Sequence, residues 1–185
     1  MTNQYVALLR GINVGGKNLI KMADLAACFQ ALGFKEVRTY IQSGNVIFSA
    51  DETDQSRLID LLEESLSQAF QYNASLVLRS ELEMLDIVAQ APPAFGNDAA
   101  SYRYDVIFLK EPLTATEAMQ SVTTKEGVDQ AFAGNGVLYF SRLISRVTQS
   151  HLTRIISTPV YQRMTIRNWN TTTKLLSLMK NSDRK

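Results

Sequence analysis

The sequence predicts an α+β fold in which the element order βαββαβ occurs twice. Three observations lead there. Segments with apolar residues at helical spacing alternate with short β-rich runs, in the same order before and after residues 92–101. That stretch is rich in Pro, Ala, Gly, Asn and Asp, the composition of a linker. The strands are apolar at successive positions, as in Val6-Ala7-Leu8-Leu9, Val46-Ile47-Phe48 and Val106-Ile107-Phe108-Leu109, so sheets covered on both faces are expected.

Tyr5 to Arg10 reads as the first strand, followed by a Gly and Asn loop from Gly11 to Lys21. A helix is expected from Met22 to Leu32, where Leu25, Cys28, Phe29 and Leu32 share a face and Gly33 is the stop. Val37 to Ile41 and Val46 to Ser49 form strands around the turn Gln42-Ser43-Gly44-Asn45. Leu58, Leu61, Leu62, Leu66, Ala69 and Phe70 mark a helix from Asp54 to Phe70, and Leu76 to Leu78 returns as a strand. Ser80 with Glu83 forms a capping box for a helix that ends before Pro92-Pro93. The pattern then restarts with a strand from Tyr102 to Leu109 and a helix capped by Thr114 and Glu117. Strands at Val128 to Phe132 and Val137 to Ser141 flank Gly134-Asn135-Gly136. A helix over Gln149 to Ile156, a strand near Met164 to Arg167 and a last helix capped by Asn170 or Thr171 complete the order.

Two such units imply two ferredoxin-like subdomains in tandem, forming one compact unit. The first covers 1–91 with the connecting helix, 92–101 is the linker, and the second covers 102–185 with the C-terminal helix. The wording repeats only locally, in Gly44-Asn45-Val46-Ile47-Phe48-Ser49 beside Gly136-Val137-Leu138-Tyr139-Phe140-Ser141.

With 185 residues, 45% hydrophobic and 20% charged, the chain has neither a disordered nor a fibrous composition. At this mass roughly 70% of the extended chain's surface is buried on folding, so no disulfide or metal is needed for stability. A single cysteine, Cys28, permits no internal disulfide, which fits a reducing cytoplasm. The only apolar run near the N-terminus, Tyr5 to Leu9, is too short for a signal or a membrane span. A cytoplasmic protein without membrane association is expected.

The net charge of +1 looks neutral toward anions, yet the charges are sorted. Residues 51–98 hold 10 acidic and 2 basic groups, and residues 141–185 hold 9 basic and 1 acidic. The basic segment includes Arg142, Arg146, Arg154, Arg163, Arg167, Lys174 and Lys180. It reads either as a solvated surface paired with the acidic helices or as a footprint for nucleic acid.

The loop Gly11-Ile12-Asn13-Val14-Gly15-Gly16-Lys17-Asn18 matches G-x-x-x-x-G-K, but Asn18 stands where a P-loop needs a magnesium-binding hydroxyl. Parallel βαβ units are missing as well, so a nucleotide triphosphatase is not expected. A simpler anion loop remains, in which Gly11, Gly15 and Gly16 expose backbone N–H groups and Arg10 and Lys17 add charge. Opposed to it is a structural loop whose Asn13 and Asn18 bond its own backbone. The segment Arg167-Asn168-Trp169-Asn170-Thr171 has the same ambiguity. Its guanidinium, amides and indole suit phosphate or base contacts, and they equally suit capping and packing.

An RNA-recognition module would stack bases on sheet aromatics, and Tyr104, Tyr139 and Phe140 lie on suitable strands, but the R-G-F-x-F signature is absent. Cys28 reads as core. His151 has no partner at metal-ligand spacing, so neither a zinc site nor any other metal or cofactor is expected. No residue stands out as a general acid or base.

Three strings carry a resemblance: LLRGINVGGKN at Leu8 to Asn18, TYIQSGNVIF at Thr39 to Phe48, and RNWNT at Arg167 to Thr171. Together they resemble the bacterial domain-of-unknown-function family 1697. The resemblance implies two ferredoxin-like subdomains in a small cytosolic protein without an established activity, and it brings no catalytic residues. Its shared strings favour one common site, which adds Asn45 to the candidates Arg10, Gly11, Asn13, Gly15, Gly16, Lys17, Asn18, Arg167, Asn168 and Trp169. The expected function is binding of an anionic, phosphate-bearing small molecule or nucleic acid at the Gly-rich loop. The alternatives are a small metal-independent enzyme using the same pocket and a protein-interaction module.

Overall fold

The computed structural model describes residues 2–180. By contact the chain divides into two compact units, Met1–Met84 with Leu175–Lys185, and Leu85–Lys174. Each is mixed α+β around a four-stranded antiparallel sheet.

In the first unit the elements are β1 (Asn3–Leu9), α1 (Met22–Ala31), β2 (Lys35–Tyr40), β3 (Asn45–Ala50), α2 (Gln55–Phe70) and β4 (Leu76–Ser80), with sheet order β2-β3-β1-β4. Alternate positions of β1, Tyr5, Ala7 and Leu9, meet Leu25 and Phe29 of α1 and Leu58, Leu62 and Leu66 of α2 in one core. Phe48 of β3 anchors it, with the Phe29 ring at 5.2 Å edge-on and Phe34 at 4.6 Å. The intervening residues Val6, Leu8 and Ile47 are buried as well, as the unbroken apolar runs predict. Asp54 caps α2 by accepting from the N–H groups of Ser56 and Arg57.

α3 (Glu81–Ala89) opens with the predicted capping box: Glu83 Oε2 accepts from the Ser80 N–H at 2.7 Å, and Ser80 Oγ accepts from the Glu83 N–H. The second unit continues with β5 (Tyr102–Leu109), α4 (Ala115–Gln120), β6 (Asp129–Ala133), β7 (Val137–Leu143) and β8 (Met164–Asn168) before α5 (Trp169–Lys180), and its sheet order is β6-β7-β5-β8. Ile107, Leu109, Leu138, Phe140 and Met164 form its core with Ala118, Leu152 and Ile155.

The helix expected over Gln149 to Ile156 is absent. Three 3-10 segments, Ile144–Gln149, Leu152–Ser157 and Pro159–Arg163, join β7 to β8 instead. Ser and Thr side chains turn back onto the chain there: Ser157 Oγ donates to Arg154 O at 2.7 Å and Thr158 Oγ1 to Ile155 O at 2.6 Å. Such local bonds, with Pro159 close behind, compete with a regular helix. At the start of α5 the cap is also two residues earlier than the nearer expected position, Asn170, because Asn168 Oδ1 accepts from the Thr171 N–H at 2.7 Å.

The repeat of element order extends to register. Leu9 faces Leu76 and Val6 faces Arg79 in the first sheet; Leu109 faces Met164 and Val106 faces Arg167 in the other. The Leu9 N–H donates to Gly44 O at 2.8 Å, and the Leu109 N–H to Gly136 O at 3.0 Å. The short verbal echo around Gly44 and Gly136 thus marks equivalent positions of the two units.

Candidate functional site

The candidate residues fall into two groups, one in each unit. In the first, the loop after β1 passes through left-handed conformations at Gly11, Asn13, Gly15, Gly16 and Asn18. Its asparagines hold it. Asn13 Nδ2 donates to Ile20 O at 3.0 Å and to Gln42 O at 2.9 Å, while its Oδ1 accepts from the Ile20 N–H. Asn18 Nδ2 donates back to Gly11 O at 2.9 Å. With Ile12 buried beneath, the loop is pinned at both ends and its tip, Val14 to Leu19, stands in solvent. A Cβ placed on Gly15 or Gly16 would meet nothing within 4 Å, so their backbone faces open space. Lys17 is exposed at this tip, and the sequence carries no acidic residue before Asp24.

Asn45 is buried, and its amide is engaged inside the hairpin with Tyr40 O at 2.8 Å and Ser43 Oγ at 3.0 Å. Gly44 beside it touches both strand and loop: a Cβ there would approach Ile12 Cδ1 to 2.5 Å and Leu9 Cβ to 2.9 Å, at φ +78°. The hairpin and the Gly-rich loop are therefore fitted to each other by Gly44 and by the bond from Asn13 to Gln42.

The other group lies where β8 gives way to α5. The β5–β7 ladder runs to Tyr102, but the β5–β8 ladder begins only at Asp105 opposite Asn168. The β5 edge from Tyr102 to Tyr104 is thus left without a strand on that side. A cavity of about 490 Å³ opens at it, a volume suited to a small ligand. Tyr102, Tyr104 and Trp169 give it aromatic surface, and Arg103, Asp105 and Arg142 give it charge. Trp169 leans edge-on against Phe95 at 5.2 Å, and Phe95 in turn meets Tyr104 at 4.9 Å. Gly96 lies flush against the indole, leaving no room for a side chain.

Arg142 Nη2 donates to Asp105 Oδ2 at 3.0 Å, and both side chains are largely buried. Burial pushes the Asp105 carboxyl above its ordinary range, against the opposing pull of Arg142. Arg142 Nε is buried without a hydrogen-bond partner among the described residues. Arg103 is exposed on the same face. Arg167 is placed differently: it is 8% exposed, its Nη1 donates to Ile166 O at 2.9 Å, and burial lowers its guanidinium to about 10.

The sequence profile of the family described as a protein of unknown function, DUF1697, matches residues 1–139. The chain belongs to this family. The DUF1697 chain is also similar to the solved structure of a conserved bacterial protein from Streptococcus pneumoniae, at 26% identity and a TM-score of 0.85, covering 97% of this chain and 99% of that one. No curated protein matches it.

For this DUF1697 protein, the sequence pointed to Asn168 and Trp169 but not to Tyr102, Arg103 or Asp105. A signal was present in Asp105, a charged residue directly before the buried run Val106 to Leu109. Tyr139 and Phe140 are each 1% exposed and offer no stacking platform. Cys28 packs against the first core, and burial raises its thiol pKa. Among the described residues no group of three His, Cys, Asp or Glu side chains is set to hold a metal, and no helix is long and apolar enough to cross a membrane.

Proposed function

We propose that this cytoplasmic protein binds an anionic, phosphate-bearing ligand, a nucleotide or nucleic acid, at the loop Gly11 to Asn18. The observation that carries this reading is the open backbone at Gly15 and Gly16 beside exposed Lys17, in a loop held in shape by Asn13 and Asn18. Preset N–H groups next to a cation form an anion-binding concavity without reorganisation. Arg10 follows β1 and Lys21 follows the loop, both cationic, and the sequence carries no acidic residue before Asp24. The finer fold reading belongs with it: the antiparallel orders β2-β3-β1-β4 and β6-β7-β5-β8, with a helix after the first strand of each, support two ferredoxin-like units in tandem.

The test is titration of a nucleoside triphosphate and a short oligonucleotide at rising salt. Affinity falls steeply with salt, and Lys17→Ala weakens binding about tenfold. Absence of binding of both probes at low salt removes the proposal and leaves the interaction-module reading. One observation favours an enzyme instead: Asp105 lines a cavity with its carboxyl pKa raised, the condition of a proton-transfer group. Product formation in a metabolite screen, lost in Asp105→Asn, would select that reading.

A further inference from the structure

The cavity at the free β5 edge is a separate site, and its chemistry differs from that of the loop. It combines two kinds of surface. Tyr102, Tyr104 and Trp169 are half-buried, so each ring keeps part of its area open. Along the same edge lies a polar pair with unused capacity. Asp105 is fixed through Oδ2 by Arg142, and Oδ1 is its second acceptor oxygen. On the arginine, Nη2 is engaged while Nε–H is buried and has no acceptor. That buried N–H is out of a ligand's reach, so the donors the guanidinium offers are those at Nη1 and the second N–H at Nη2.

The pair therefore offers an acceptor, Asp105 Oδ1, together with the terminal N–H donors of Arg142. A planar ring with an N–H next to a ring nitrogen or carbonyl matches both at once. Purine and pyrimidine bases have such edges, and their flat faces suit tyrosine and tryptophan. The charges are unsuited to a polyanion: Arg103 and Arg142 are offset by Asp105, leaving one net positive charge around about 490 Å³. We propose that this cavity binds a nucleobase, taking the donor–acceptor edge of the ring on the Asp105–Arg142 pair and its flat face on Tyr102 and Trp169.

The proposal gives the cavity a ligand class of its own, so it stands whether or not the Gly11 to Asn18 loop holds phosphate. Trp169 is the only tryptophan of the chain, which makes its fluorescence a reporter confined to this cavity. Uncharged nucleosides are titrated while its emission is recorded. At least one nucleoside should quench it saturably with a Kd of about 1 mM or tighter, and ribose should not. Asp105→Asn and Tyr102→Leu should each weaken that binding about tenfold. Tyr102→Leu lies outside the buried ion pair, so it keeps the test decisive if Asp105→Asn fails to fold. Lys17→Ala should leave nucleoside quenching unchanged, since no phosphate is present. Absence of saturable quenching by any nucleoside overturns the proposal, as does quenching unchanged in the folded variants or lost in Lys17→Ala.

Discussion

As strings, the Gly-rich loop after β1 and the β8–α5 junction are alike, each mixing cationic, amide and small or aromatic residues. Folded, they divide the work in opposite ways. In the loop, the side chains of Asn13 and Asn18 hold the backbone, and what faces solvent is the backbone of Gly15 and Gly16 with Lys17. At the junction the Asn168 side chain caps α5, the backbone enters a helix, and side chains border a cavity. An amide engaged with the chain is unavailable to a ligand, but it decides what its neighbours can present.

That contrast can be broken most sharply at Gly44, where the hairpin meets the loop. Gly44→Ala places a methyl against Ile12 and Leu9 at φ +78° and should destabilise the protein by about 2–4 kcal/mol. Gly15→Ala, at φ +59° in open space, should cost only about 1 kcal/mol. Urea unfolding midpoints of the two variants would separate packing from backbone preference; equal losses would refute the fitted loop.

A smaller difference is expected between the asparagines. Asn13→Ala removes three hydrogen bonds and should cost about 2 kcal/mol, whereas Asn168→Ala removes a helix cap worth about 1 kcal/mol. Thermal unfolding of both, with the reverse order as the adverse result, checks which region leans more on its amide.

The smallest effect concerns pH. Because the Asp105 carboxyl titrates higher folded than unfolded, its contribution is fully present below the unfolded value of about 3.9 and is lost as pH rises through the folded value. Relative to Asp105→Asn, the wild-type protein should therefore lose stability as pH climbs from below about 4 toward neutrality. Urea unfolding across that range reads the sign, and a parallel pH profile of the two proteins would show that burial does not perturb Asp105.

The legibility of the sequence varied with the range of the forces involved. α2 was readable because leucines at helical spacing and the Asp54 cap are both encoded within 17 residues, 54–70. The β7–β8 connection was not. Leu152 and Ile155 do face the core of their unit, as a helix would have placed them, yet Ser157, Thr158 and Pro159 hold the backbone in 3-10 turns. Spacing of apolar residues records which side is buried and does not distinguish a tight turn from an α-helix over so short a run.

By itself the sequence determined the strands, the capping boxes at Ser80 and Thr114 and the family, because each depends on residues near one another in the chain. Only the tertiary structure decided that Asn45 and Arg167 are buried, and that β8 stops short of Tyr102 and opens a cavity on Asp105 and Arg142. The physical reason is that a sheet edge and an ion pair between residues 37 positions apart exist only once strands have been brought into register.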